Sequence, residues 1–183
     1  MSLDLRSTVP CYILTIPPQA VGASKVHCDL FNGLASGVSL RVLSASARAS
    51  MDAAVTGVLA ASVALTRTTE AGSGGTSAVT AGTNPAAPSI ARINLADIAL
   101  PEDITARAAP AAGATAGAVL SLRHVFTEET NAGTSTSNAI GTQHVPPERP
   151  IIVPQGSGLR FVQGSVATVG SLFFEIVFEL VQP

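Results

Sequence analysis

Tryptophan is absent from this chain of 183 residues, tyrosine occurs once, and aromatic residues make up 4% of it. A sugar-binding module that stacks its ligand on aromatic rings has little to be built from here. Charge is scarce as well: Asp, Glu, Lys and Arg together account for 12% of residues, against roughly 25% in ordinary soluble domains. The nine arginines and the lone Lys25 are scattered and the formal net charge is -2, which leaves no basic footprint for a phosphate backbone, so no nucleic acid partner is expected. Mean hydropathy is positive, at +0.42, yet no window supplies the roughly 18 consecutive apolar residues of a spanning helix, and no membrane partner is expected either. Cysteine is limited to Cys11 and Cys28. A disulfide between them is open to the chain, but the first ten residues carry Asp4 and no basic segment followed by an apolar core. In a chain read as having no signal peptide, two cysteines are packed, reduced thiols.

What is abundant is small and apolar. Hydrophobic residues are 46% of the chain, drawn largely from Ala, Val and Leu. A surface so poor in charge suits a protein that covers part of itself, and a homo-oligomer, trimer or dimer, is expected. The length fits one domain, since roughly 150 residues already bury about 70% of the unfolded surface.

The pattern of that apolar content is a period of two. In residues 57–69, Leu59, Ala61, Val63 and Leu65 alternate with Ala60, Ser62, Ala64 and Thr66, as on a strand with one buried face. The strand runs out into Glu70-Ala-Gly-Ser-Gly-Gly-Thr76, read as a polar excursion free to lie on a neighbouring protein. Val26, Cys28 and Leu30 alternate up to the turn dipeptide Asn32-Gly33. Val38, Leu40 and Val42 repeat the pattern in 38–49, and 51–56 reads as a short connection. Residues 118–126 set Leu120, Leu122, His124 and Phe126 on one apolar face, which makes His124 a hydrogen-bonded histidine of the core or of an interface. Short strands are expected at 151–153 and 159–162. Residues 171–181 form a central strand, with Leu172, Phe174, Ile176, Phe178 and Leu180 facing the core.

Residues 12–16 are β-prone but meet Pro17-Pro18, which cannot donate to a ladder, so 1–25 are assigned as an N-terminal arm or edge strand and 26–183 as a single domain. Residues 71–89 and 127–147 read as two long polar loops, and 90–109 as extended or irregular chain. About eight strands without sustained helical periodicity predict an all-β, antiparallel β-sandwich, jelly-roll-like. An immunoglobulin-like sandwich is second, since its cysteine and tryptophan pattern is missing.

Chemical motifs are incomplete wherever they begin. Gly72-Ser-Gly-Gly-Thr76 lacks the lysine and the following helix of a phosphate loop, and Gly156-Ser157-Gly158 does not complete a nucleophile elbow. His27, Cys28 and Asp29 are strand neighbours whose side chains point to alternate faces, so they do not converge on a metal. Glu175 and Glu179 share a strand face at roughly 13 Å, beyond the reach of paired glycosidase carboxylates. His144 reads as a loop residue. The chain is accordingly expected not to be an enzyme and to need no cofactor, although a hydrolase assembled from Ser, His and Asp only on folding would leave no such trace. Arg41, Arg67, Arg123 and Arg160 fall in or near strands and, with His124, Glu175 and Glu179, are the candidate interface residues.

Four stretches carry a resemblance: Leu65-Thr-Arg-Thr-Thr-Glu-Ala-Gly-Ser-Gly-Gly-Thr76, Leu122-Arg-His-Val-Phe-Thr-Glu-Glu-Thr130, Pro150-Ile-Ile-Val-Pro-Gln-Gly-Ser-Gly-Leu-Arg-Phe-Val-Gln-Gly164 and Phe173-Phe-Glu-Ile-Val-Phe-Glu-Leu180. They resemble small virion structural proteins of tailed bacteriophages. The likeness spans residues 26–181 and consists of strand-and-turn motifs rather than chemical signatures; residues up to Pro18 fall outside it. It implies a capsid decoration, or cement, protein that is made in the host cytoplasm, binds the major capsid protein on the outside of an icosahedral head and stabilises the shell. The alternative is a tail, neck or fibre-associated virion protein, including a receptor- or glycan-binding module.

Overall fold

A computed structural model describes residues 9–50, 57–80, 82–94, 97–111, 116–127, 142–143 and 150–182. The reading of 51–56 as a connection, most of the loop 127–147 and His144 lie outside them. Thirteen strands are described: β1 (Cys11–Ala20), β2 (Val26–Asn32), β3 (Ser39–Ala49), β4 (Leu59–Thr68), β5 (Thr76–Ser77), β6 (Val79–Thr80), β7 (Ser89–Arg92), β8 (Ile104–Ala108), β9 (Ala116–Thr127), β10 (Thr142–Gln143), β11 (Ile151–Val153), β12 (Ser157–Gln163) and β13 (Ser171–Val181). No helix occurs among the described residues, and the chain is all-β.

One sheet has the order β10-β3-β13-β1-β7-β6, with β11 also paired to β3; the other has the order β5-β8-β2-β12-β4-β9. All pairings are antiparallel except the two-residue match of β6 with β7. Four pairs of strands are nested along the chain. β1 pairs with β13, β2 with β12, β3 with β11 and β4 with β9, so each pair encloses the next along the chain. Strands β5 to β8 belong to the connection between β4 and β9. They widen both sheets on one side, β7 beside β1 and β8 beside β2.

The two sheets pack against each other as a β-sandwich, and the period-two residues meet between them. Leu14 and Ile16 of β1, Leu40 and Val42 of β3, and Phe174, Ile176 and Phe178 of β13 belong to one buried cluster with Leu30 of β2, Leu59, Val63 and Leu65 of β4, and Phe161 of β12. The rings of Phe161 and Phe174 lie 5.0 Å apart, and Tyr12 stacks on Phe178 at 5.6 Å. Each such side chain, fully withdrawn from water, contributes about 1.5–3 kcal/mol. The expected core face of 171–181 is the one observed, with Leu172 to Leu180 buried at every second position.

Two local expectations change. The stretch 12–16 is not an edge: Tyr12 to Thr15 have neighbours on both sides, in β13 and β7. Pro17-Pro18 does not stop the strand either. The ladder to β13 slips between Ile16 and Gln19 and resumes at Gln19 opposite Leu172, so the missing N–H groups fall in an irregularity. In β9 the apolar alternation is real but faces outward. Its register with β4 sets Val125 opposite the buried Ala61 and turns Val125 and Thr127 inward, leaving Leu122, His124 and Phe126 exposed. Alternation states that a strand has two faces; the pairing decides which of them meets the core.

Candidate functional site

The Gly/Ser segment after β4 folds back onto its own sheet. Asp29 of β2 and Arg160 of β12 are cross-strand partners pointing away from the core, where Cys28, Leu30, Leu159 and Phe161 are buried on the other face. Yet Asp29 is 2% and Arg160 3% exposed. The cover is the segment itself. The Gly72 N–H donates to Asp29 Oδ2, Arg160 Nη2 donates to the Glu70 carbonyl at 3.2 Å, and beyond them Ser73 bridges to Ala111 and β5 pairs with β8. Glycine is required at position 72 because a Cβ there would run into the Asp29 carboxylate and lie 2.7 Å from Pro110. The segment read as free to lie on a neighbouring protein is thus a strap closing over an internal ion pair. Arg160 Nη2 stands 3.7 Å from Asp29 Oδ2. Burial pushes the Asp29 carboxyl above its ordinary range, against the opposing pull of the Gly72 N–H, Arg160 and Arg107.

A second buried polar group lies between the sheets. His27 is fully buried, its ring 4.9 Å from that of Phe174, and Nε2 stands 3.0 Å from Gln163 Oε1, which also accepts the Gly22 N–H at 3.0 Å. Since Oε1 can only accept, Nε2 carries the proton, and Nδ1 is left buried without a partner. Burial pulls the imidazole down to about 4. His27, Cys28 and Asp29 therefore do three separate things. Cys28 is a free, fully buried thiol, as Cys11 is a free and buried one, and burial raises both. Among the described residues no group of three or more His, Cys, Asp or Glu is placed to hold a metal.

The remaining candidate residues divide between internal pairing and exposed surface. Arg41 makes a two-pronged contact, through Nε and Nη2, with Glu179 on its partner strand, on the outer face of the first sheet. Arg67 Nη1 donates to the Ile152 carbonyl at 3.1 Å. Glu175 lies on the same outer face as Glu179, half-buried between Phe173 and Val177 and opposite Thr15 and Ser46. Arg123 and His124 are exposed on β9, so His124 is no core histidine. The structure does not gather these seven residues into one place: Arg160 is internal, Arg67 reaches from β4 to the Ile152 carbonyl of β11, three lie on the outer face of the first sheet, and Arg123 and His124 lie on opposite faces of β9 in the second.

A cleft of about 280 Å³ lies beside β8, where Ile90, Leu100, Ile104 and Ala106 line it together with Glu102 and Arg107. It has hydroxyls in Ser77, Thr80 and Thr105 but no histidine among its lining residues to activate one of them.

The clearest surface feature is apolar. On β9, Val119 is 62%, Leu122 57% and Phe126 40% exposed. On the outer face of the first sheet Phe173 and Val177 are half-buried, and Val177 lies directly across from the half-buried Ile13. Reading residues 118–126 found the β9 stripe but not its direction; nothing in the alternation of 12–16 pointed to Ile13. Comparison with protein-family models, curated proteins and solved structures found no match to the chain.

Proposed function

We propose that this chain is a viral structural protein of the head-decoration, or cement, type, which binds the outer surface of an icosahedral capsid as a homo-oligomer and holds neighbouring copies of the major capsid protein together. The observation that carries this reading is that both outer faces of the sandwich hold apolar side chains: Leu122 and Phe126 on one, Ile13, Phe173 and Val177 on the other. A sandwich surrounded only by water usually carries polar residues at those alternating positions, and apolar ones there suit a protein that works by being covered. The assignment to a capsid rests on the resemblance of the four stretches described above.

The same reading takes the sandwich as a jelly roll. Its support is the nested pairing of β1 with β13, β2 with β12, β3 with β11 and β4 with β9. This puts β1-β13-β3-β11 in one sheet and β2-β12-β4-β9 in the other, the wrapping expected of two Greek keys. Such a scaffold fixes its outer faces rigidly, because every long strand is held across the core. Its action on a shell is mass action: whatever binds the assembled state and not the dissociated one shifts the balance toward assembly.

Heating purified heads with and without the protein tests this. Decorated heads are expected to lose their contents at a higher temperature than bare ones, and equal temperatures at saturating protein would overturn the cementing role.

A further inference from the structure

We propose that the strap from Glu70 to Gly75 is a polar latch that opens by itself while the sandwich stays folded, and that acid holds it shut. The inference goes beyond the structural reading above and depends neither on self-association nor on a capsid.

The strap is matched to what lies beneath it. Arg107 of β8, Asp29 of β2 and Arg160 of β12 stand side by side on three adjacent strands, a row of charges reading plus, minus, plus. The strap crosses that row with its backbone in the complementary order. The Glu70 carbonyl accepts from Arg160 Nη2 at 3.2 Å, the Gly72 N–H donates to Asp29 Oδ2, and the Gly74 carbonyl accepts from Arg107 Nη1 at 3.2 Å. Every second residue of the strap therefore meets one charge.

What the strap lacks is an apolar anchor. From Thr69 to Ser77 every residue except Gly72 is exposed, and the only apolar side chain in that stretch is the methyl group of Ala71. Segments with few apolar contacts and with hydrogen bonds open to water come loose below the free energy of global unfolding. Both ends are suited to act as hinges. Thr68, 1% exposed, exchanges side-chain hydrogen bonds with the Glu70 backbone and fixes the start, while Gly74 and Gly75 at the far end both hold φ at +65°. Lifting the segment between them breaks its contacts to the charges and the bridge from Ser73 to Ala111. Cys28, Leu30, Leu159 and Phe161, buried on the other face of the same sheet, stay where they are.

Acid favours the closed state because closing buries a carboxylate. The charged side chains around Asp29 are Arg160 from β12 and Arg107 from β8; the strap adds the exposed Glu70, which meets Arg160 through its carbonyl. Desolvation outweighs the pull of both arginines and leaves the buried Asp29 carboxyl above its ordinary range. Opening returns water to the carboxylate and moves it back toward that range, so a proton binds more tightly when the strap is closed. The closed population is therefore largest at low pH and declines as pH rises through the closed-state value.

Amide hydrogen exchange on the full chain, followed by NMR and corrected for intrinsic rates, tests this. At about pH 7 the N–H groups of Gly72 and Ala111, bonded to Asp29 and to the Ser73 carbonyl, are expected to exchange about tenfold or more faster than the amides of β12. Between about pH 7 and about pH 5 their protection is expected to rise about twofold or more, and Asp29→Asn is expected to remove that rise. Gly72→Ala places a Cβ against the Asp29 carboxylate and 2.7 Å from Pro110, so it is expected to strip Ala111 of protection while β12 keeps its own. Circular dichroism melts identify a variant that fails to fold, and the wild-type profile with the other variant then carries the comparison. Strap amides as protected as those of β12, protection that stays level or falls on acidification, the same rise surviving in Asp29→Asn, or an Ala111 still protected in Gly72→Ala would each overturn the latch.

Discussion

Replacing Arg160 by methionine is expected to lower the stability of the folded chain by about 3–5 kcal/mol at neutral pH, the usual loss when one partner of a buried ion pair is removed. The size follows from what stays behind. Asp29 is 2% exposed, sealed by the strap from Glu70 to Gly75, and after the substitution its carboxylate would keep the Gly72 N–H but lose its nearest cation. Methionine fills much of the volume of the arginine stem, so the loss reads the charge more than a cavity. Two companion measurements separate this from general damage. Adding Asp29→Asn to Arg160→Met is expected to recover a large part of the loss, because Asn retains an acceptor for Gly72 and carries no charge. In the single variant the deficit should also shrink as pH falls and Asp29 takes up a proton. Urea unfolding at several pH values reads all of these, and a single variant as stable as the wild type would mean that the strap does not seal the pair.

The second large effect is a loss of stability in acid traceable to His27. Its folded value of about 4 lies below the ordinary imidazole value of 6.5. Below pH 6.5 the unfolded chain therefore binds a proton that the folded chain refuses, and stability falls with pH until about 4, by about 3 kcal/mol over the window. Asp29 acts in the opposite sense. Its raised value means that the folded chain holds a proton where the unfolded one has released it, a stabilisation present at low pH and lost as pH rises through the folded value. The difference between wild type and His27→Gln cancels the Asp29 contribution and isolates the histidine. The expected result is a wild type that loses about 3 kcal/mol relative to the variant between pH 6.5 and pH 4. Parallel stability curves would show that water reaches the ring of His27.

These two sites mark where reading residues stops being enough. A strand announces itself through side-chain alternation, and 171–181 could be placed in the middle of a sheet because all five residues on one face are large and apolar. The antiparallel sandwich was legible for the same reason. Partner choice was not, since a period of two is the same whichever strand lies alongside. That is why the outward turn of Leu122 and Phe126 appears only once β9 is registered against β4, and why β1, interrupted by Pro17-Pro18, turns out to have neighbours on both sides. The strap was hidden differently. Glycines at 72, 74 and 75 and small polar neighbours describe a loop equally well whether it faces water or lies on a sheet. Only the partnership of Asp29 with Arg160, two residues 131 positions apart in the chain, gives Gly72 its purpose. Of the candidate interface residues, Arg41 and Glu179 are separate candidates that pair with each other only once β3 is registered against β13, while Arg160 proved internal because its strand position faces the strap.

The proposed function is that this sandwich works by covering and being covered, on the outside of a viral head. The most direct measurement is a density map of a purified particle that contains the protein, resolved well enough to trace its strands. The predicted result is hundreds of copies on the outer shell, with Leu122 and Phe126 and the Phe173–Val177 face buried in contacts. Finding the chain only at the tail or neck, or on the shell with both faces open to solvent, would contradict it.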